Sequence, residues 1–201
     1  MLSQKLDKYV EFAGRRYRLR LSFDKVLRVL DLQKDALFLP HERLALSVGI
    51  LAGRRAAKLP TAKQQALFQR IWDEYVNADS RPTKPGPRLL DFTQDAAAIY
   101  AAFRQAYGVD LLQEQGDMDW RVFMSLFHGL PENTKIREIM AIRSREIPAP
   151  TKYNAKEIAA LMEAKAYYAI RVNEEEAEQA FQAGVDRLAT TLAMRGQHDI
   201  P

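Results

Sequence analysis

Near its start the chain alternates apolar and polar residues with period two. In KYVEFAGRRYRLRL, residues 8–21, Val10 and Phe12 precede Gly14, and Tyr17, Leu19 and Leu21 follow it. That pattern predicts a β-hairpin turning at Gly14, with one face packed. Arg16, Arg18 and Arg20 then fall together on the opposite face, because successive strand side chains point to opposite sides. From Ser22 onward the period lengthens to three and four: Val26, Leu27, Leu30 and Leu37 predict a helix over 23–37, ended by Pro40. Leu44, Val48 and Leu51 mark a second helix, with Arg54, Arg55 and Lys58 near its C-terminal end, where cations complement exposed carbonyls. Thr61-Ala-Lys-Gln64 reads as a capping box opening a third helix through Leu67, Phe68, Ile71, Trp72 and Tyr75.

Residues 78–88, ADSRPTKPGPR, hold three prolines, one glycine and almost nothing apolar, as a linker or exposed loop would. Beyond it, Asp91-Phe-Thr-Gln94 predicts another capping box. Phe92, Ile99, Tyr100, Phe103 and Tyr107 extend a helix that Gly108 ends. Ala96, Ala97, Ala98, Ala101 and Ala102 on its other face predict close approach by a neighbouring helix. Trp120, Phe123, Met124 and Phe127 form one face of a short helix closed by His128-Gly-Leu-Pro131. Ile136, Ile139, Met140 and Ile142 mark the next helix, stopped by Pro148 and Pro150. The remainder, 154–195, reads as two helices or a kinked one, with a fresh acidic N-cap at Asn173-Glu-Glu-Glu176. The expected fold is mainly α, a multi-helix bundle with a short N-terminal β-hairpin. The expected organisation is a hairpin plus three-helix subdomain over 1–80, a linker over 81–90 and a helical subdomain over 91–201.

Composition narrows the function. The 201 residues include no cysteine, which removes disulfides, thiolate metal sites and a cysteine nucleophile. No window approaches the length of a membrane span and the start lacks a signal-peptide run, so the expected location is a cytoplasm. Charge divides unevenly. Residues 1–88 carry 18 Lys and Arg against 9 Asp and Glu, a net +9, whereas residues 89–201 carry 12 against 17, a net −5. Opposite fields on two halves can satisfy each other within one chain, or can steer copies together head to tail.

Catalytic patterns are missing from the sequence. His41, His128 and His198 lie at least 70 residues apart with no second ligand at metal spacing. No glycine pattern cradles a phosphate, and no serine sits between the glycines of a nucleophile elbow. Acid pairs such as Asp73 with Glu74, or Asp117 with Asp119, are of a kind usually found on solvated surfaces. We therefore expect no enzyme, no catalytic, cofactor-binding or metal-binding residue, and no cofactor. The candidate partner-binding residues are Arg16, Arg18 and Arg20 together with Trp120, Phe123 and Phe127. The arginine row is suited to phosphates, but only Tyr17 interleaves it and that ring faces the other side, which argues against a nucleic-acid surface.

Two blocks in the middle carry a more specific signal. Residues 91–111 read DFTQDAAAIYAAFRQAYGVDL, and residues 119–148 read DWRVFMSLFHGLPENTKIREIMAIRSREIP. Together they resemble a family of tailed-phage and prophage proteins encoded beside the tape-measure gene. In it an Asp-Phe…Ile-Tyr-Ala-Ala-Phe…Tyr-Gly block precedes Trp-x-x-Phe-x-x-Leu-x-x-Gly-Leu-Pro, here Trp120, Phe123, Leu126, Gly129, Leu130 and Pro131. The likeness is dense over about 60 residues and departs at Arg121, where a second aromatic often stands. The resemblance implies a tail-assembly chaperone of the bacterial host cytoplasm. Such a protein binds the tape measure protein, helps recruit tail-tube subunits, self-associates and is absent from the mature virion. The alternatives are a minor structural tail or connector protein retained in the virion, and a basic nucleic-acid-binding regulator.

Overall fold

A computed structural model of the chain describes residues 6–77 and 88–171, and the architecture is mainly helical with one two-stranded antiparallel hairpin. Strand β1 is Tyr9–Phe12 and strand β2 is Arg15–Arg18, paired Tyr9 to Arg18, Val10 to Tyr17, Glu11 to Arg16 and Phe12 to Arg15. The two-residue turn between them has positive φ at both Ala13 (50°) and Gly14 (72°). This is the turn hand that matches strand twist. Glycine adopts it without cost, while Ala13 does so against its Cβ.

The helices are α1 Phe23–Lys34, α2 Pro40–Ala52, α3 Arg54–Ala57, α4 Thr61–Ile71, α5 Ala96–Tyr107, α6 Trp120–His128, α7 Lys135–Ser144 and α8 Ala155–Tyr167. A π-helical turn over Trp72–Val76 continues α4. Three local expectations change. Helix α1 stops at Lys34, because the Asp35 side chain accepts the Leu37 N–H and turns the chain early. Gly53, at φ 87°, breaks the predicted second helix into α2 and α3. At α4 no capping box forms: the Gln64 amide donates instead to the carbonyls of Ala57 and Leu59, tying α4 back to the end of α3. The alanine face of α5 also departs from expectation, with Ala96, Ala97 and Ala101 exposed and only Ala102 fully buried. Gly108 ends α5 in the left-handed conformation, as predicted. Helix α8 ends at Tyr167, and the predicted acidic N-cap at Asn173 and everything after it lie outside the described residues.

Residues up to Tyr168 belong to one compact unit. Within it, side chains from before and after the predicted linker over 81–90, mostly outside the described residues, share one core. Phe123 stands at its centre. Its ring stacks on Phe23 at 5.0 Å, on Phe103 at 5.1 Å and on Trp120 at 5.6 Å between centroids. Phe92 closes the cluster edge-on to Trp120 at 5.7 Å. Val26, Val48, Leu51, Leu67 and Ile71 extend the core beneath α1, α2 and α4 with no exposed surface. Stacked and edge-on rings contribute beyond their buried area, so this aromatic knot ties the N-terminal helices to α5 and α6.

The segment after β2 is held on two sides. Arg20 N–H donates to the Leu51 carbonyl at 2.8 Å at the end of α2, while Trp120 N–H donates to Leu21 and Phe23 N–H to Met118. The hairpin is thereby fastened to both α2 and the start of α6.

Candidate protein-binding surface

The six candidate residues separate cleanly in space. Arg16, Arg18 and Arg20 are exposed, as the alternation predicts, while Tyr17, Leu19 and Leu21 are buried. None of the three guanidinium groups makes an ion pair with a described residue. The Arg16 guanidinium lies 4.1 Å above the centre of the Tyr9 ring, diagonally across the hairpin and two residues from Tyr9's direct partner Arg18. Arg18 and Arg20 also line, with Lys8 and Lys25, an open groove of about 820 Å³. Glu114, Asp117 and Asp119 line the same groove, with Leu6 and Val122 adding apolar surface.

These acids belong to the 110–119 segment, which Asp24 at the start of α1 holds. Asp24 Oδ1 accepts the Gly116 N–H at 2.9 Å. Burial pushes the Asp24 carboxyl up, but hydrogen bonds from Ser22 and Gly116 and the charge of Lys25 outweigh it and hold the group below its ordinary 3.8. Asp119 caps α6 by accepting the Arg121 N–H and takes the Arg121 guanidinium on both oxygens, at 2.8 Å each. The bond to Asp119 is the largest influence holding the Arg121 guanidinium protonated beyond its ordinary range. Arg121 also donates to the Asp7 carbonyl and lies over the Tyr75 ring. The residue that breaks the resemblance thus links α6 to the hairpin and to the π-helical turn.

Trp120, Phe123 and Phe127 are not on a surface. All three are buried, Phe123 completely, and the Trp120 indole N–H is satisfied by the Val76 carbonyl at 3.1 Å. A partner reaches these rings only if the core opens, so they act in this fold by packing α6 against α1, α5 and the π-helical turn. The exposed apolar residues lie elsewhere. The turn between α1 and α2 presents Leu37, 91% exposed, Leu39, 58% exposed, and the half-exposed Phe38, and Leu46 stands exposed on α2. Nothing in the period of that segment marked it, because its apolar residues are consecutive and Leu37 fits the helical stripe.

The two sequence blocks meet physically. Tyr107, from the first, donates its hydroxyl to the Leu126 carbonyl at 2.8 Å, and a Cβ added to Gly129 would lie 3.1 Å from that hydroxyl. With alanine there the Tyr107 hydroxyl would have to give way by a few tenths of an ångström. The φ of −84° at Gly129 is open to any residue. Leu130 is buried behind it, and Arg137 of α7 donates to the carbonyls of Leu130 and His128. Thr134 Oγ1 donates to Pro131, so the Gly-Leu-Pro turn is held from both sides.

A buried ion pair that the periodicity did not reveal joins the same helices. Arg143 of α7 and Asp95 before α5 form two hydrogen bonds, Nη1 to Oδ2 at 2.6 Å and Nη2 to Oδ1 at 2.8 Å. Arg143 also donates to the carbonyls of Tyr168 and Leu89. Nearby, Asp91 accepts the N–H groups of Thr93 and Gln94, half of the predicted capping box, and pairs with Lys34 at 3.2 Å and with Arg88. Burial raises the Asp91 pKa, yet the Gln94, Lys34 and Thr93 contacts together hold it below 3.8.

No group of three or more His, Cys, Asp or Glu among the described residues is placed to hold a metal ion. No helix among them is long and apolar enough to cross a membrane.

A model of the family described as Bacteriophage Gp15 protein matches residues 2–170. The chain belongs to that family. The match runs through the hairpin, both sequence blocks and α8, and ends beside the boundary of the compact unit at Tyr168. The Gp15 family is a bacteriophage family, which places the chain among phage proteins as the resemblance implies. No curated protein and no solved structure matches it.

Proposed function

We propose that this Gp15-family chain is a tail-assembly chaperone, which binds the tape measure protein while the tail is built and helps bring tail-tube subunits to it. Three supports converge: membership of a phage family, the blocks at 91–111 and 119–148 that resemble chaperones encoded beside the tape-measure gene, and an apolar surface free to take a client. The observation that carries the reading is the exposed Leu37-Phe38-Leu39 turn, an apolar projection on a chain whose core is already closed. A long helical client with an apolar stripe would bury it. Covering one leucine fully is worth about 1.5–3 kcal/mol before association costs, so each copy binds weakly. Repetition along a tape measure then raises the occupancy through effective concentration.

The test is co-expression of the cognate tape measure protein with the wild-type chain or with Leu37→Asp/Leu39→Asp. Both substitutions lie at exposed positions and leave the core intact. We expect the wild type to keep the tape measure soluble and the double variant to lose most of that effect. Equal solubility with the variant would remove the apolar turn from the reading, and an insoluble tape measure with the wild type would remove the chaperone role.

A further inference from the structure

We propose that the outer edge of β2 accepts an added strand from a partner protein, one carrying two carboxylates separated by a single apolar residue. This deepens the reading above by naming partner chemistry, and it rests on that reading only in taking the partner to be a protein. In the antiparallel hairpin, Leu19 N–H donates to Lys8 O, which places Val10 with Tyr17 as the next mutually bonded pair. Arg16 and Arg18 therefore turn their N–H and C=O groups away from β1. The outer edge of β1 is covered, since Asp7, Tyr9 and Glu11 carbonyls accept side-chain bonds from Arg121, Tyr75 and Arg70. Beyond Arg18 the β2 edge is closed as well, by Arg20 N–H to Leu51 O. Between these, the backbone groups of Arg16 and Arg18 have no partner among the described residues.

Charge selects what can pair there. A second copy offering its own β2 would set Arg16 and Arg18 against arginines, which disfavours self-pairing at this edge. A strand with acids at alternate positions puts a carboxylate opposite each guanidinium, on the face where neither arginine has an ion-pair partner. The residue between the acids points to the face of the buried Tyr17, so it is apolar.

The experiment titrates full-length protein with the capped peptide Thr-Val-Glu-Val-Glu-Val-Thr at low salt, by calorimetry and by amide exchange in NMR. Binding should slow exchange of the Arg16 and Arg18 amides. Arg16→Glu/Arg18→Glu, at exposed positions, should weaken it by about tenfold or more, and a peptide with Lys for Glu should bind that variant in its place. N-methylation of the peptide residues whose N–H faces β2 should abolish binding, whereas N-methylation at the alternate residues should not. Equal tolerance of both methylation patterns, unchanged exchange at Arg16 and Arg18, or a duplex DNA that outcompetes the peptide would each overturn the proposal. Peptide binding here and tape-measure solubility above are separate readouts, so either can fail without the other.

Discussion

Replacing Asp95 by alanine leaves a guanidinium buried without its counter-charge, and the size of that penalty follows from the geometry. In the native fold both side chains are almost fully withdrawn from water, with 4% and 6% of their surface exposed, and two hydrogen bonds join them. Arg143 gives two further N–H groups to Tyr168 and Leu89, so it cannot swing out to solvent without abandoning two carbonyls as well. The Asp91 N–H loses its acceptor, Asp95 Oδ2, in the same step. Breaking a buried pair from one side costs about 3–5 kcal/mol. Pairing Asp95→Leu with Arg143→Met removes both charges but still strands two carbonyls and one N–H. The double variant should therefore remain less stable than wild type, yet the two changes should fall short of additive by at least about 1 kcal/mol. Urea unfolding followed by far-ultraviolet circular dichroism measures Asp95→Ala, the single changes Asp95→Leu and Arg143→Met, and the double variant. A loss under about 1 kcal/mol for Asp95→Ala would falsify the picture of a dry ion pair joining α7 to the start of α5.

Trp120→Ala should cost about 3–5 kcal/mol, since it empties a site beside Phe92 and Phe123 and orphans the Val76 carbonyl; a melting temperature unchanged from wild type would place the ring in solvent instead. Ala13→Asn makes the Asn-Gly pair that this turn favours and should raise stability by up to about 1 kcal/mol, whereas a loss would mean that the hairpin turns differently in solution. Asp24 and Asp91 are both held below 3.8 in the fold, so their contribution is present above that value and is lost as pH falls through the lower folded values. Urea midpoints should consequently drop between pH 5 and strongly acid conditions, and Asp91→Asn should make that drop shallower; an unaltered acid profile for the variant would contradict the assignment. Gly129→Ala should displace the Tyr107 hydroxyl and cost about 1 kcal/mol, an effect that Tyr107→Phe should largely absorb in a double-mutant cycle.

The elements that could be read from the sequence are those whose packing is periodic. The hairpin alternation placed Tyr17, Leu19 and Leu21 inside and the arginines outside, and the helical stripes located α1, α2 and α4 through α7 to within a few residues. Periodicity was silent where a polar group works inside. Arg143 and Asp95 look like solvated charges in the sequence because nothing local reveals that two helices far apart in the chain bury them together. Gln64 likewise fits a capping box by spacing, but the carbonyls left open where α3 ends claim its amide first. The aromatic residues of α6 do share one face, yet amphipathicity alone cannot distinguish a core from a docking surface. The decision comes from Phe92, Phe23 and Phe103, which already cover it. Exposed Leu37 went the other way, since it continues the α1 stripe in sequence but follows the turn that Asp35 initiates.

The most direct test of the account is the copy number of this chain on the tape measure protein, counted by quantitative mass spectrometry in assembly intermediates from infected cells and in finished particles. Transient coating predicts many copies per tape measure in the intermediates and none after the tail is complete. A fixed number of copies retained in the virion, or none on the tape measure at any stage, would contradict it.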